Sequence, residues 1–366
     1  MQTRKTSLKS AARSLVGAIL PLALCVAMAP APSWAASWKG NGADTLWSTA
    51  ANWDSVPGSG ASLSFREANP PNKTATLDAS YSYTGNIHVG KGSSAAAPYI
   101  FEALDPSYKL TIDDDIWLGY HEDGWLWLKS GTYNFTTKNN KALHLGQGSG
   151  ANHNFWLKVG DGSSTATLTS TANHSYMRGG SALVADRGTV NFGSKNFYTY
   201  NSSGTYLTNS TMTVAYIYLH DTSSMTLSNS TLTFSGDFNM PNSASGNCVL
   251  RSVSGTLRHT GSSTVFNVGH GANSTGVVEK ERGDWDCYYL RLGNGASSSG
   301  TFTMNGGTMT IRTELGIGRG DNSTARSIST AARLRRNTLP ATTTPRRLRL
   351  SSTAERSRPM AYTRMV

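Results

Sequence analysis

One pattern, apolar-x-apolar-Gly-x-Gly, recurs along the chain and limits its possible folds more than any other feature. It stands at residues 87–92, 143–148, 157–162, 266–271, 290–295 and 315–320, with a copy at 116–119 that lacks the second Gly. A companion pattern, Gly or Ser followed by Thr-apolar-x-apolar, stands at 131–135, 188–192, 230–234, 300–304 and 307–311. Both alternate apolar and polar residues with period two, which buries one face of a strand and solvates the other. Gly, Asn, Ser and Asp punctuate them, the residues that accept left-handed backbone or bond their own main chain in turns. The first glycines at 90, 119 and 146, and again at 269, 293 and 318, are 24 to 29 residues apart. Between 146 and 269 only the Gly160 copy intervenes, among strand-like runs such as 212–219 and 225–234.

A strand-only repeat of this length predicts one coil of a β-solenoid, with coils stacked at about 4.8 Å. The fold expected is all-β, a right-handed parallel β-helix of roughly eleven coils. A propeller needs longer repeats, and a sandwich gives no reason for the Gly-x-Gly element to recur. The 37 glycines argue against a helix-rich domain, since Gly costs about 1 kcal/mol in a helix interior.

The formal charge of +11 invites a nucleic-acid reading, but its location excludes one. Residues 1–35 carry four bases and no acid, and residues 325–366 carry ten Arg and one acid, which leaves −2 for residues 36–324. No nucleic-acid partner is expected. Residues 1–35 read as a secretory signal peptide: Arg4, Lys5, Lys9 and Arg13, then 14 apolar residues from 15 to 28, then small residues at Ser33 and Ala35. The apolar run falls short of the ~20 residues a spanning helix needs, so no transmembrane helix is expected in the mature chain. The localisation read from this is secreted or cell surface. Export would leave Cys248 and Cys287, a candidate disulfide that the sequence neither requires nor excludes.

The organisation expected is a Trp-rich capping segment at 36–66, solenoid repeats at 67–324 and an Arg-rich tail at 325–366. The tail has no Gly and no Lys and begins in the middle of a repeat. It reads as frameshifted coding or as disordered, in preference to a basic arm for nucleic acid or anionic glycans; translating the neighbouring frames of the gene beyond codon 324 tests the frameshift. The capping segment carries Trp38-Lys39-Gly40, then Trp47, four residues, Asn52-Trp53, then Pro57-Gly58. This opening resembles that of bacterial exported surface proteins built from autotransporter-associated β-strand repeats, a group that overlaps PEP-CTERM-type proteins. The resemblance implies a parallel β-helix passenger at the cell surface and implies no catalytic residue. Neither a C-terminal barrel nor a PEP-CTERM tail is legible after residue 324, and the chain reads as a truncated member.

No catalytic, cofactor-binding or metal site is expected, and the chain reads as a non-enzyme. Asp113, Asp114 and Asp115 alternate faces and fit a solvated turn better than a Ca²⁺ site. The charged run 279–286 reads as a projecting, salt-paired loop. The eight His show no ligand spacing. Trp38, Trp47 and Trp53 are expected to cap the first coil. Trp117, Trp125, Trp127 and Tyr133 are candidate glycan contacts, with interior stacking the competing assignment. The function expected is a structural or adhesive surface module whose partners are surface glycans or host and cell-surface molecules. Two alternatives stay open: a pectate-lyase-like β-helix enzyme, and a carbohydrate-binding module using the Trp125/Trp127 face.

Overall fold

Four to six residues of alternating polarity, then a Gly- or Asn-containing corner, can wind a coil whose strands pair with the coils above and below. The computed structural model describes residues 35–120, 122–136, 141–147, 153–329 and 333–336. Their strands all pair in parallel, forming a solenoid of about eleven coils. The only helical element among the described residues is a single turn, Ala50–Asn52.

Each coil visits three faces. Ala182–Asp186, Thr189–Asn191 and Asn196–Thr199 make one full turn. The first face is an 11-stranded sheet running from Thr74–Leu77 to Thr324–Ser329. The second holds the Thr-apolar-x-apolar strands except the copy at 300–304, which lies on the first face, and its threonines stack in register as Thr132, Thr167, Thr189, Thr211, Thr231 and Thr256. The third holds most of the Gly-x-Gly strands. Asp284–Leu292 and Thr308–Ile317 bend across the corner and join the second and third faces, with a register irregularity between Cys287 and Tyr289.

The interior is a set of apolar columns. One runs Leu110, Tyr133, Leu168, Val190, Met212, Leu232, Leu257, Trp285 and Met309 in continuous register. All nine are buried, each contributing about 1.5–3 kcal/mol for its removal from water. Tyr133 therefore is not a surface contact. Its parity within Gly131–Phe135 points it inward, and its hydroxyl donates to the Ser130 carbonyl at 2.7 Å.

The first coil is closed by indole rings. Trp38, Trp47 and Trp53 are buried, and Trp53 meets each of the others edge-on at 5.1 Å. Each indole N–H is satisfied: Trp38 to the Asn72 carbonyl, Trp47 to the Tyr83 hydroxyl, Trp53 to the Trp47 carbonyl. Asn52 explains the residue before Trp53. Fully buried, it accepts from the Gly42 N–H and donates to the Leu46 carbonyl, pinning the intervening loop.

Three expectations need correction. Cys248 and Cys287 are both buried free thiols on different sheets, so the candidate disulfide is not formed. The charged run at 279–286 is no projecting loop: Thr275–Lys280 and Asp284–Leu292 are strands joined by a tight corner, and Lys280 is fully buried, donating to the Gly306 carbonyl. Strand pairing also continues past residue 324, through Thr324–Ser329 and Arg333–Arg336. The signal peptide read at 1–35, except its last residue, and the tail beyond Arg336 lie outside the described residues.

Candidate functional site

Outward positions of a parallel solenoid repeat at the strand spacing, so a residue type kept at one position becomes a column. On the third face the central outward position carries His88, Trp117, His144, Tyr176, Tyr198 and Tyr218 in unbroken register. Their ring centroids are 6.4, 4.2, 5.5, 5.3 and 4.9 Å apart in that order. From Trp117 onward successive rings lie within 20° of parallel. At the strand repeat the six rungs span about 24 Å. Each is half-buried, one edge held by its neighbours and the remainder open to solvent.

The column widens over three coils. His174, Asn196 and Tyr216 flank it on one side. Arg178, Tyr200 and His220 flank it on the other, with Tyr200 stacked on His220 at 4.3 Å and the Arg178 guanidinium over the rings of Tyr176 and Tyr200. The result is a platform made almost entirely of rings, carried on rigid strands. Beyond Tyr218 the same column becomes polar, continuing as Asn239, Asn267 and Arg291. Asn267 donates to Asn239, while its own Oδ1 has no partner.

Burial disfavours the charged form of the histidines in this surface. Burial, with Arg178 adding to it, pushes His144 down to about 4 from an ordinary 6.5. Burial also lowers His88, His174 and His220. His144 in the unfolded chain binds its proton near pH 6.5, whereas the folded ring resists it down to about 4. Its contribution is therefore complete above pH 6.5 and lost as pH falls through 4, by about 3 kcal/mol. Buried His259, also pushed down to about 4, acts in the same direction. Urea midpoints are expected to fall steadily between pH 7 and pH 4.5, and His144→Phe should flatten part of that slope. Midpoints constant over this range would refute the assignment.

Trp117 is thus part of a column, but Trp125 and Trp127 are on a different face. They project outward from Gly124–Leu128 on the first face. Trp125 stacks on Trp156 at 4.6 Å, and Trp156 is 37% exposed. Trp127 is tied down, its indole N–H on the Gly160 carbonyl and Lys158 Nζ over its ring at 4.4 Å. The structure places this trio away from the six-ring column rather than beside Trp117. Sequence reading missed Tyr176, Tyr198 and Tyr218 because their strands lack the Gly-x-Gly ending. The signal that could have found them is the parity they share with His88, Trp117 and His144.

Carboxylates near the platform are engaged in coil-to-coil bonds. Glu122 pairs with Arg66, and Asp114 and Asp115 pair with Lys141. Among the described residues no cluster of His, Cys, Asp and Glu is placed to hold a metal ion. No helix of the described residues is long and apolar enough to cross a membrane. No protein-family profile, curated protein sequence or solved structure matches the chain.

Proposed function

We propose that this chain is an exported, non-enzymatic β-solenoid that serves as an adhesive module, gripping a linear polysaccharide along its third face. The observation that carries this reading is the six-ring column from His88 to Tyr218. A flat, half-exposed run of rings fits a ligand that offers repeated planar C–H faces, which a chain of pyranose rings does. Strands of the solenoid hold the rings at fixed spacing before any ligand arrives, so little ordering cost opposes binding. The acids bordering the platform support a binding role, because each named pair joins two side chains instead of leaving a free carboxylate toward the rings.

Affinity electrophoresis through gels containing soluble polysaccharides tests the reading. The purified chain should be retarded by at least one linear polymer. Tyr198→Ala, which removes the ring stacked between Tyr176 and Tyr218, should weaken retardation about tenfold with the CD spectrum unchanged. Release of unsaturated uronates from any polymer would replace this reading with the lyase.

A further inference from the structure

We infer that the ligand of this platform is an anionic linear polysaccharide, a polymer of uronate or sulfated sugars running parallel to the solenoid axis. The inference rests on the glycan reading above and narrows it. Its basis is the placement of cations around the rings. Arg178 follows Tyr176 by two residues and spreads over the rings of Tyr176 and Tyr200. Lys195 lies on the opposite flank, one residue before Asn196, which is in register with His174. Neither is in an ion pair among the described residues, in contrast to Lys39, Arg66, Lys129 and Lys141, each of which bridges coils by pairing with a carboxylate.

The third cation, Arg291, occupies the column itself, five rungs beyond Tyr176 and about 24 Å along the axis. It too has no carboxylate partner among the described residues, and its Nε is unbonded. Cations at separate levels along the axis fit a polymer that carries charge at intervals, not a single small anion. The nearby carboxylates are bonded to backbone: Asp221 accepts from the Asn201 N–H and Asp237 from the Val265 N–H. The guanidinium of Arg178 lies against rings, so a sugar stacked on Tyr176 or Tyr198 would bring its equatorial carboxylate or sulfate within reach of the fork. Single-stranded nucleic acid also stacks on rings, but it brings one phosphate per base and is held by a continuous basic groove. Three cations over about 24 Å, on a body of net −2, do not make such a groove.

The test compares retardation of the purified chain by polygalacturonate, alginate and chondroitin sulfate with retardation by the carboxyl-reduced or desulfated form of each. A labelled oligo-dT is run alongside. At least one anionic polymer is expected to bind about tenfold more tightly than its neutralised form. Arg178→Gln should abolish that preference, leaving residual binding that is still lost in Tyr198→Ala. High salt should act as Arg178→Gln does. If neutralised polymers bind equally well and Arg178→Gln changes nothing, the platform binds glycans but the anionic assignment is wrong. If no polymer binds in either form, the glycan reading itself fails and this inference with it. Tighter binding of oligo-dT than of every polysaccharide overturns it in favour of nucleic acid.

Discussion

Trp47→Ala should lower the unfolding midpoint of the first coils by about 10 °C, the equivalent of roughly 4 kcal/mol. Three effects add at this position. The ring is 1% exposed and packs against Trp38, Trp53, Phe65 and Phe101, so its removal opens a cavity the fixed strands cannot refill. Its N–H is the partner of the Tyr83 hydroxyl, which would be left buried without one. The ring also closes the end of the coil stack, where strand edges would otherwise meet water or another chain. Trp156→Ala, at a half-exposed position on the first face, should cost no more than about 1 kcal/mol. Because each coil touches only its neighbours, the damage should be local. Hydrogen exchange should show lost protection in residues 63–103 and unchanged protection in 204–252. A midpoint within 2 °C of wild type would show that these rings do not form the cap.

Trp47 also shows where sequence reading succeeds. Its burial follows from the need to close an open stack, which is visible in the chain. In the strands a rule of parity decides instead: inward Tyr133 and outward Thr132 are neighbours, and alternation alone assigns their faces. Tyr133 is a candidate glycan contact by its chemistry alone; its parity points into the core. The platform was harder to see for a different reason. His88, Trp117, His144, Tyr176, Tyr198 and Tyr218 are separated by 29, 27, 32, 22 and 20 residues. Corner length varies from the single Ala215, between Thr211–Val214 and Tyr216–Leu219, to far longer connections. A column that is strictly periodic in space is therefore aperiodic in sequence. The Gly-x-Gly element misleads as well, since the copy at 157–162 ends a first-face strand while those at 87–92 and 143–148 end third-face strands. Lys280 went unrecognised because period-two patterning places a residue inward without regard to its charge. Its stem fills the core, its ammonium reaches the Gly306 carbonyl, and burial pushes it down to about 8.

Four alanine variants should separate the two physical demands that the recurrent glycines meet, and the largest loss should come at Gly283. Gly60 has neither a left-handed backbone nor any atom within 4 Å of a prospective Cβ, so Gly60→Ala should stay within about 0.5 kcal/mol of wild type. Gly193 has φ +58° in open space, and Gly193→Ala should cost about 1 kcal/mol from conformation alone. Gly295, the second Gly of its repeat, has ordinary φ, but a Cβ there would collide with the carbonyl oxygens of His270 and Gly271 on the preceding coil. That steric demand should cost about 2–3 kcal/mol. Gly283 combines both, with φ +93° and a Cβ that would strike the Gly255 carbonyl oxygen, and Gly283→Ala should lose about 4 kcal/mol. Equal midpoints for Gly60→Ala and Gly283→Ala would show that coil-to-coil backbone approach does not enforce glycine. The variant also joins fold to function. Gly283 belongs to the coils beyond the six rings, and coupling in a solenoid runs only between neighbours. Gly283→Ala should therefore loosen the strands around Asp284–Leu292, Arg291 included, while Tyr176, Tyr198 and Tyr218 still retain the neutralised polysaccharide. Loss of retention together with stability would mean that the stack behaves as one cooperative block, and that the platform depends on coils it does not touch.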